Sequence, residues 1–218
     1  MKRKARKTER KNRTVDKSEN FTRELPAGYR LVKTVDAGEK RFAILMNLCA
    51  TVLTAAVGTV GFFLKFGKNP ALSVDIGGNV WEFEGILLAL VASLVAYIVL
   101  HELTHGAVYR ILTGEKLTFG LKLSCAFCGV PNIYVTKKTA LLALLAPFTV
   151  FSAVFLVPFI LLPGTFALAF LILFAIHFGG CVGDLYDSFL LIFRIRGRVL
   201  VRDTGPKQTF YVFDPTDA

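Results

Sequence analysis

The sequence predicts an all-α integral membrane fold, with four transmembrane helices and a short membrane-associated β-hairpin between the second and third. Three observations lead there. Residues 42–64 contain no charged side chain, and neither do residues 140–183. Between them GILLALVASLVAYIVL adds another apolar run. A helix needs about 20 such residues to cross ~30 Å of hydrocarbon. With 54% hydrophobic and 19% charged residues, the chain also departs from soluble-domain composition.

Taken in order, residues 1–41 read as a basic cytoplasmic tail that opens MKRKARKTERKNR and dominates the net charge of +10. Such a run suits a nucleic-acid arm or the flank of a membrane protein. Apolar helices follow it and no nucleic-acid-binding motif does, so the expected partner is the lipid bilayer and no nucleic acid. Residues 25–36 suggest a short ordered segment. Phe42–Leu64 is the first span, and residues 65–83 form a loop with turn signals at Pro70 and Gly77-Gly78. A second span starts near Glu84 and runs through HELTHGAVYRIL to a stop at Gly114. LTFGLKLSCAFCGVPNIYV then reads as a strand pair turning at Gly129-Val130-Pro131-Asn132. The uncharged stretch 140–183 is too long for one span. Pro163-Gly164 divides it into a third span, 140–162, bent by Pro147 and Pro158, and a fourth, 165–193. Residues 194–218 close the chain as a second basic tail. The excess of Lys and Arg then places both termini of this multi-pass protein in the cytoplasm, around one core of residues 42–193.

The chemistry sits in His101-Glu102-Leu103-Thr104-His105. On a helix, positions i and i+4 share a face, so both imidazoles reach one Zn²⁺ at about 2.0–2.1 Å. Glu102 is placed as general base for water activated by the metal, and as proton donor to the departing amine. Two of the chain's three histidines make this motif, within an apolar helix where an acidic residue costs about 2.5–3.5 kcal/mol. A plain histidine pair hydrogen-bonded between helices would leave that cost without a return.

The third ligand follows by elimination and depth. Glu115 is the last glutamate and position 111 is Ile, so neither a downstream Glu nor the HExxHxxGxxH pattern is available. Candidates are His177, Asp184, Asp187 and the tail residues Asp203, Asp214 and Asp217, which read as solvated charge. His101 lies 17 residues beyond Glu84 and Asp184 lies 19 beyond Thr165. On parallel helices these are depths of about 26 and 29 Å. Asp184 is therefore the expected ligand, with His177 as the alternative ligand or a group that orients one, and Asp187 as further support. Gly179, Gly180 and Gly183 would let helices approach closely around the metal. Cys49 and Cys181 lie in spans as small buried residues. Cys125 and Cys128 form a lone CxxC, two ligands short of a second zinc site, and read as incidental.

HELTHGAVYRIL, the strand-like LTFGLKLSCAFCGV, ALLALLAPFTVFSAVF and a late intramembrane aspartate resemble the core of the site-2 proteases. Ala146-Pro147 stands where that family has an Ala-Gly-Pro element, and Gly183-Asp184-Leu185 where it has Leu-Asp-Gly. The sequence is more similar still to the small membrane proteins called putative zincin peptidases, which share an LPxGY-like beginning and a Gly-Asp in the last span. The resemblance implies that strands 117–135 hold an unwound substrate as an added β-strand.

These readings together predict a zinc metalloendopeptidase acting on membrane-anchored protein substrates. The alternative is a non-proteolytic zinc-binding membrane protein in regulation or partner binding, against which the intact Glu102 speaks. A small transporter lined by His and Asp is a third reading, which four spans without a repeat disfavour. Asn132 is the candidate oxyanion stabiliser.

Overall fold

The computed structural model describes residues 20–67, 80–122 and 125–217. The basic run 1–19 and the turn signals at Pro70 and Gly77-Gly78 lie outside them. The chain opens with β1 (Phe21–Thr22) and β2 (Tyr29–Asp36), then α1 (Lys40–Phe66) and α2 (Val80–Thr113). A two-stranded hairpin follows, β3 (Thr118–Leu121) and β4 (Ala126–Gly129), then β5 (Tyr134–Thr136) and α3 (Lys137–Leu161). The fourth apolar stretch is split into α4 (Gly164–Gly180) and α5 (Val182–Phe189), and α5 continues into one π turn, Leu190–Arg194. Strands β6 (Val199–Asp203) and β7 (Lys207–Phe213) complete the chain.

Helices α1, α2 and α3 are each long and apolar enough to cross a membrane, and a fourth span results if the α4–α5 pair, bent by 42°, counts as one. Ile44, Leu48, Val52, Phe63 and Leu64 on α1, and Leu88, Val91 and Val95 on α2, are exposed. Helices this apolar on their outward faces suit hydrocarbon rather than water. Pro147 and Pro158 lie inside α3, which stays one helix through both. Gly114 takes φ +71° where α2 stops. Helix α1 packs on α4, α4 on α3 and α3 on α2, so α1 and α2, consecutive in sequence, end up at opposite ends of the row. Gly179 lets α4 meet α1 closely: a Cβ there would overlap Thr54 Oγ1 and lie 2.7 Å from the Ala50 carbonyl oxygen. Gly183, expected to act similarly, faces open space.

The expected basic tails need correction. Five strands in the order β1–β5–β6–β7–β2 form one antiparallel sheet from both flanks of the helical core. Residues 199–203 and 207–213 read VLVRD and KQTFYVF around a Gly205-Pro206 turn, a strand pattern masked by the neighbouring arginines. Val135, Val201 and Phe210 are fully buried against Tyr109, Ile133 and Leu191. The sheet thus closes the inner ends of α2, α3 and α5. The hairpin also turns elsewhere than expected: Lys122 and Cys125 exchange backbone hydrogen bonds of 2.8 and 3.3 Å, and residues 129–132 instead carry the chain from β4 to β5.

Asp203 joins these layers. It is 2% exposed, not solvated as a tail residue would be. Tyr109 Oη donates to its Oδ2 at 2.7 Å, the Gly205 N–H donates to Oδ1 at 2.8 Å, and the Val130 N–H donates to its carbonyl oxygen at 2.9 Å. Burial pushes its carboxyl up to about 6. Gly129 seals the same junction, because a Cβ there would overlap the Gly205 amide nitrogen and lie 2.7 Å from the Thr204 carbonyl carbon. Those obstacles are backbone and cannot rotate away.

Gly129→Ala should therefore lower thermal stability in detergent by about 1–3 kcal/mol, read as a fall in Tm. Since the raised carboxyl of Asp203 favours its protonated form in the fold, charging it costs stability as pH rises from about 4 to about 6. Asp203→Asn should gain stability relative to the native chain across that window and level off above it, in unfolding curves taken pH by pH.

Candidate metal centre

The motif lies in α2, whose apolar surroundings make its polar side chains turn inward. His101 and His105 are both 7% exposed, one turn apart on one face. Asp184 comes from the first turn of α5, just past the bend at Cys181 that redirects the fourth apolar stretch towards α2. Its Oδ2 lies 3.2 Å from His101 Nε2 and 3.4 Å from His105 Nε2. A tetrahedral zinc with bonds of about 2.0–2.1 Å sets its ligand atoms about 3.3–3.4 Å apart. Both separations match the edge of a zinc tetrahedron, and two imidazoles with a carboxylate are a fitting donor set.

Both imidazoles are held from behind. His105 Nδ1 donates to the Ala143 carbonyl on α3 at 2.8 Å, which leaves Nε2 as the ring nitrogen that faces Asp184. For His101 the chain of contacts is longer. His177 Nε2 faces the Phe148 carbonyl at 3.3 Å and Ser152 Oγ at 3.2 Å. A carbonyl only accepts, so Nε2 bears the proton of neutral His177 and Nδ1 accepts. Tyr97 Oη, 3.0 Å from that Nδ1, donates to it and accepts from His101 Nδ1 at 3.1 Å. His101 Nε2 is thereby the ring nitrogen that faces the site, 3.2 Å from Asp184 Oδ2. Both tautomers are set by main-chain oxygens of α3, one directly and one through Tyr97 and His177.

His177 is thus two hydrogen bonds removed from His101. His101, His177 and Cys181 do bring ligand-capable atoms within 4.8 Å of one another, but the Tyr97 hydroxyl fills the gap between the two imidazoles. Tyr97 was missed from the sequence, although its place one turn before His101 on the same helix face was a signal. Glu102 also lies within 4.8 Å of the two histidines by ligand-capable atoms, and its carboxylate accepts from the Cys128 N–H on β4.

Tyr97, His101, Glu102, His105 and Asp184 line a cavity of about 870 Å³ walled by α1, α2, α5, the hairpin and the five-stranded sheet. Asp187 lies in its wall beyond Asp184. Asn132 is exposed, in the turn after β4, and is not part of the wall, so it has no place as an oxyanion stabiliser. Cys125 and Cys128 are not joined by a disulfide, and burial beside Asp203 and Glu102 pushes Cys128 up to about 12, which keeps it protonated and a poor ligand.

No curated protein and no solved structure matches the chain. Residues 94–197 match the sequence profile of the family described as Putative zincin peptidase. That stretch holds Tyr97, the HExxH helix, the hairpin, α3 and Asp184, and over it the chain is similar to the putative zincin peptidase family.

Proposed function

We propose that this chain is a zinc metalloendopeptidase of the membrane, site-2-protease-like, that cuts membrane-anchored proteins. The observation that supports this best is the approach of Asp184 Oδ2 to two imidazole nitrogens at zinc-ligand spacing, 3.2 and 3.4 Å, next to a glutamate. His101, His105 and Asp184 would hold the metal. When bound, zinc would polarise an attacking water and the scissile carbonyl. Glu102 takes the proton from that water and returns it to the departing amine nitrogen, while the Cys128 N–H orients its carboxylate.

The hairpin offers a place for the peptide. Lys122 and Cys125 are a hydrogen-bonded pair, so in the antiparallel alternation Gly120 and Phe127 are the next, and the main-chain groups of Ala126 and Cys128 point away from β3. That outer edge of β4 faces Glu102. A substrate drawn into extended form pairs there through the Ala126 main chain, beside the Cys128 N–H that Glu102 holds, with its peptide bond brought to the metal. The cavity between α1 and α2 admits it.

Membrane placement is supported by the apolar exposed helix faces, and by a sheet that draws strands from both flanks of the core. Strands cannot pair across a bilayer, so both flanks belong on one side, the cytoplasmic one by charge.

Metal analysis with a hydrolysis assay on membrane-anchored substrates tests the reading. Asp184→Ala should lose most of its zinc, whereas Glu102→Gln should keep it and lose about 10²–10⁴-fold in rate. Zinc retained in the first variant removes Asp184 from the ligand set. Full activity in the second favours a non-proteolytic zinc protein. Tyr97→Phe should weaken zinc by about 10–100-fold in competition with a chelator, because His101 loses the partner that fixes its tautomer.

A further inference from the structure

Beyond the three ligand atoms the cavity runs on towards the five-stranded sheet and ends in acceptors. Asp187, three residues past Asp184 and so about one turn further along α5, lines this end and is 7% exposed. Its Oδ1 has no hydrogen-bond partner among the described residues. Gln208, on β7, also lines the cavity, is 8% exposed, and has an unpartnered Oε1. Gln208 stands opposite Asp203 in the β6–β7 register, so their side chains leave the same face of the sheet with Cβ atoms about 4.5–5.5 Å apart. Asp203 lines the cavity too, but Tyr109 and Gly205 already occupy its two oxygens. It contributes charge, whereas Asp187 and Gln208 contribute open lone pairs.

The charge balance points the same way. Glu102, Asp184, Asp187 and Asp203 line the cavity, with Lys122 at its exposed edge. A divalent ion on the two histidines and Asp184 offsets part of this, yet it sits at the other end. What remains near the sheet is a buried, negatively charged wall in which Asp187 Oδ1 and Gln208 Oε1 meet no donor among the described residues. A buried acceptor left without a donor costs about 1–3 kcal/mol. An ammonium brings three N–H donors and a guanidinium five. A neutral donor could fill the open acceptors, but only a cation offsets the charge as well.

We propose that this end of the cavity is a recognition pocket for a cationic nitrogen of the substrate, held by Asp187 and Gln208 with Asp203 adding charge. The group is a Lys or Arg side chain beside the scissile bond, or a free α-amine. The inference rests on the metallopeptidase reading and names its substrate class. It suits membrane-anchored substrates, because cytoplasmic flanks of spans are rich in Lys and Arg, and those residues reach the metal's depth first.

The test uses the full-length, zinc-loaded protein in lipid nanodiscs and calorimetric Kd values for four peptide hydroxamates of one apolar sequence. The residue next to the hydroxamate is Arg or norleucine, each with an acetylated or a free N-terminus. Among acetylated ligands, Arg should bind about 10–100-fold tighter than norleucine. A gain confined to the free-amine ligands also supports the pocket and identifies the α-amine as its occupant. Asp187→Asn and Gln208→Leu, changes on separate elements, should each bring the ratio close to one. The ratio is the readout, so a general loss of affinity in a damaged variant does not imitate the effect. Equal binding of all four ligands overturns the pocket while leaving the metal site standing, as does a preference that survives both substitutions. Failure of every hydroxamate to bind overturns the metallopeptidase reading itself.

Discussion

The structure depends on one meeting: a carboxylate oxygen of α5 against two imidazole nitrogens of α2, with no residue in between. Placing three such groups inside an apolar bundle is expensive unless they satisfy one another or share a cation. Much of the surrounding architecture serves that meeting. The break at Cys181 turns Asp184 towards α2, and α3 lays two carbonyl oxygens behind the imidazole network, so Nε2 of each α2 ring faces the same carboxylate. Gly179 draws α4 against α1, which stabilises the helix preceding the bend.

The centre was legible because its signals are chemical. His101, Glu102 and His105 are polar residues at helical spacing in an apolar run, and such residues stand out wherever they occur. Asp184 could be found by elimination, since few acids remain downstream and only one lies at matching depth. The helices were legible for the same reason, through long uncharged runs. Gly114 and Pro163-Gly164 ended them where the residue types require an end.

What escaped the sequence was non-local. The sheet pairs Tyr29–Asp36 with Lys207–Phe213, segments at opposite flanks of the core whose hydrophobic alternation is short and diluted by arginines. Asp203 looked like solvated charge because nothing nearby in sequence could bury it; Tyr109, 94 positions earlier, does so. The hairpin turn moved from residues 129–132 to 122–125 because Gly129 is needed at a close backbone contact instead. Tyr97 resembled an ordinary apolar-face residue until His177, on another helix, gave its hydroxyl a partner.

The pairing of β2 with β7 also has a temporal meaning. Strand β2 leaves the ribosome early, and its neighbour in the sheet is not synthesised until residue 213 has been reached. Through that interval the wall bearing Asp203 and Gln208 does not exist, and the chamber behind the metal centre stays open to water. A chamber whose wall is completed last is kept from working while the chain is still being made, a delay written into strand order alone.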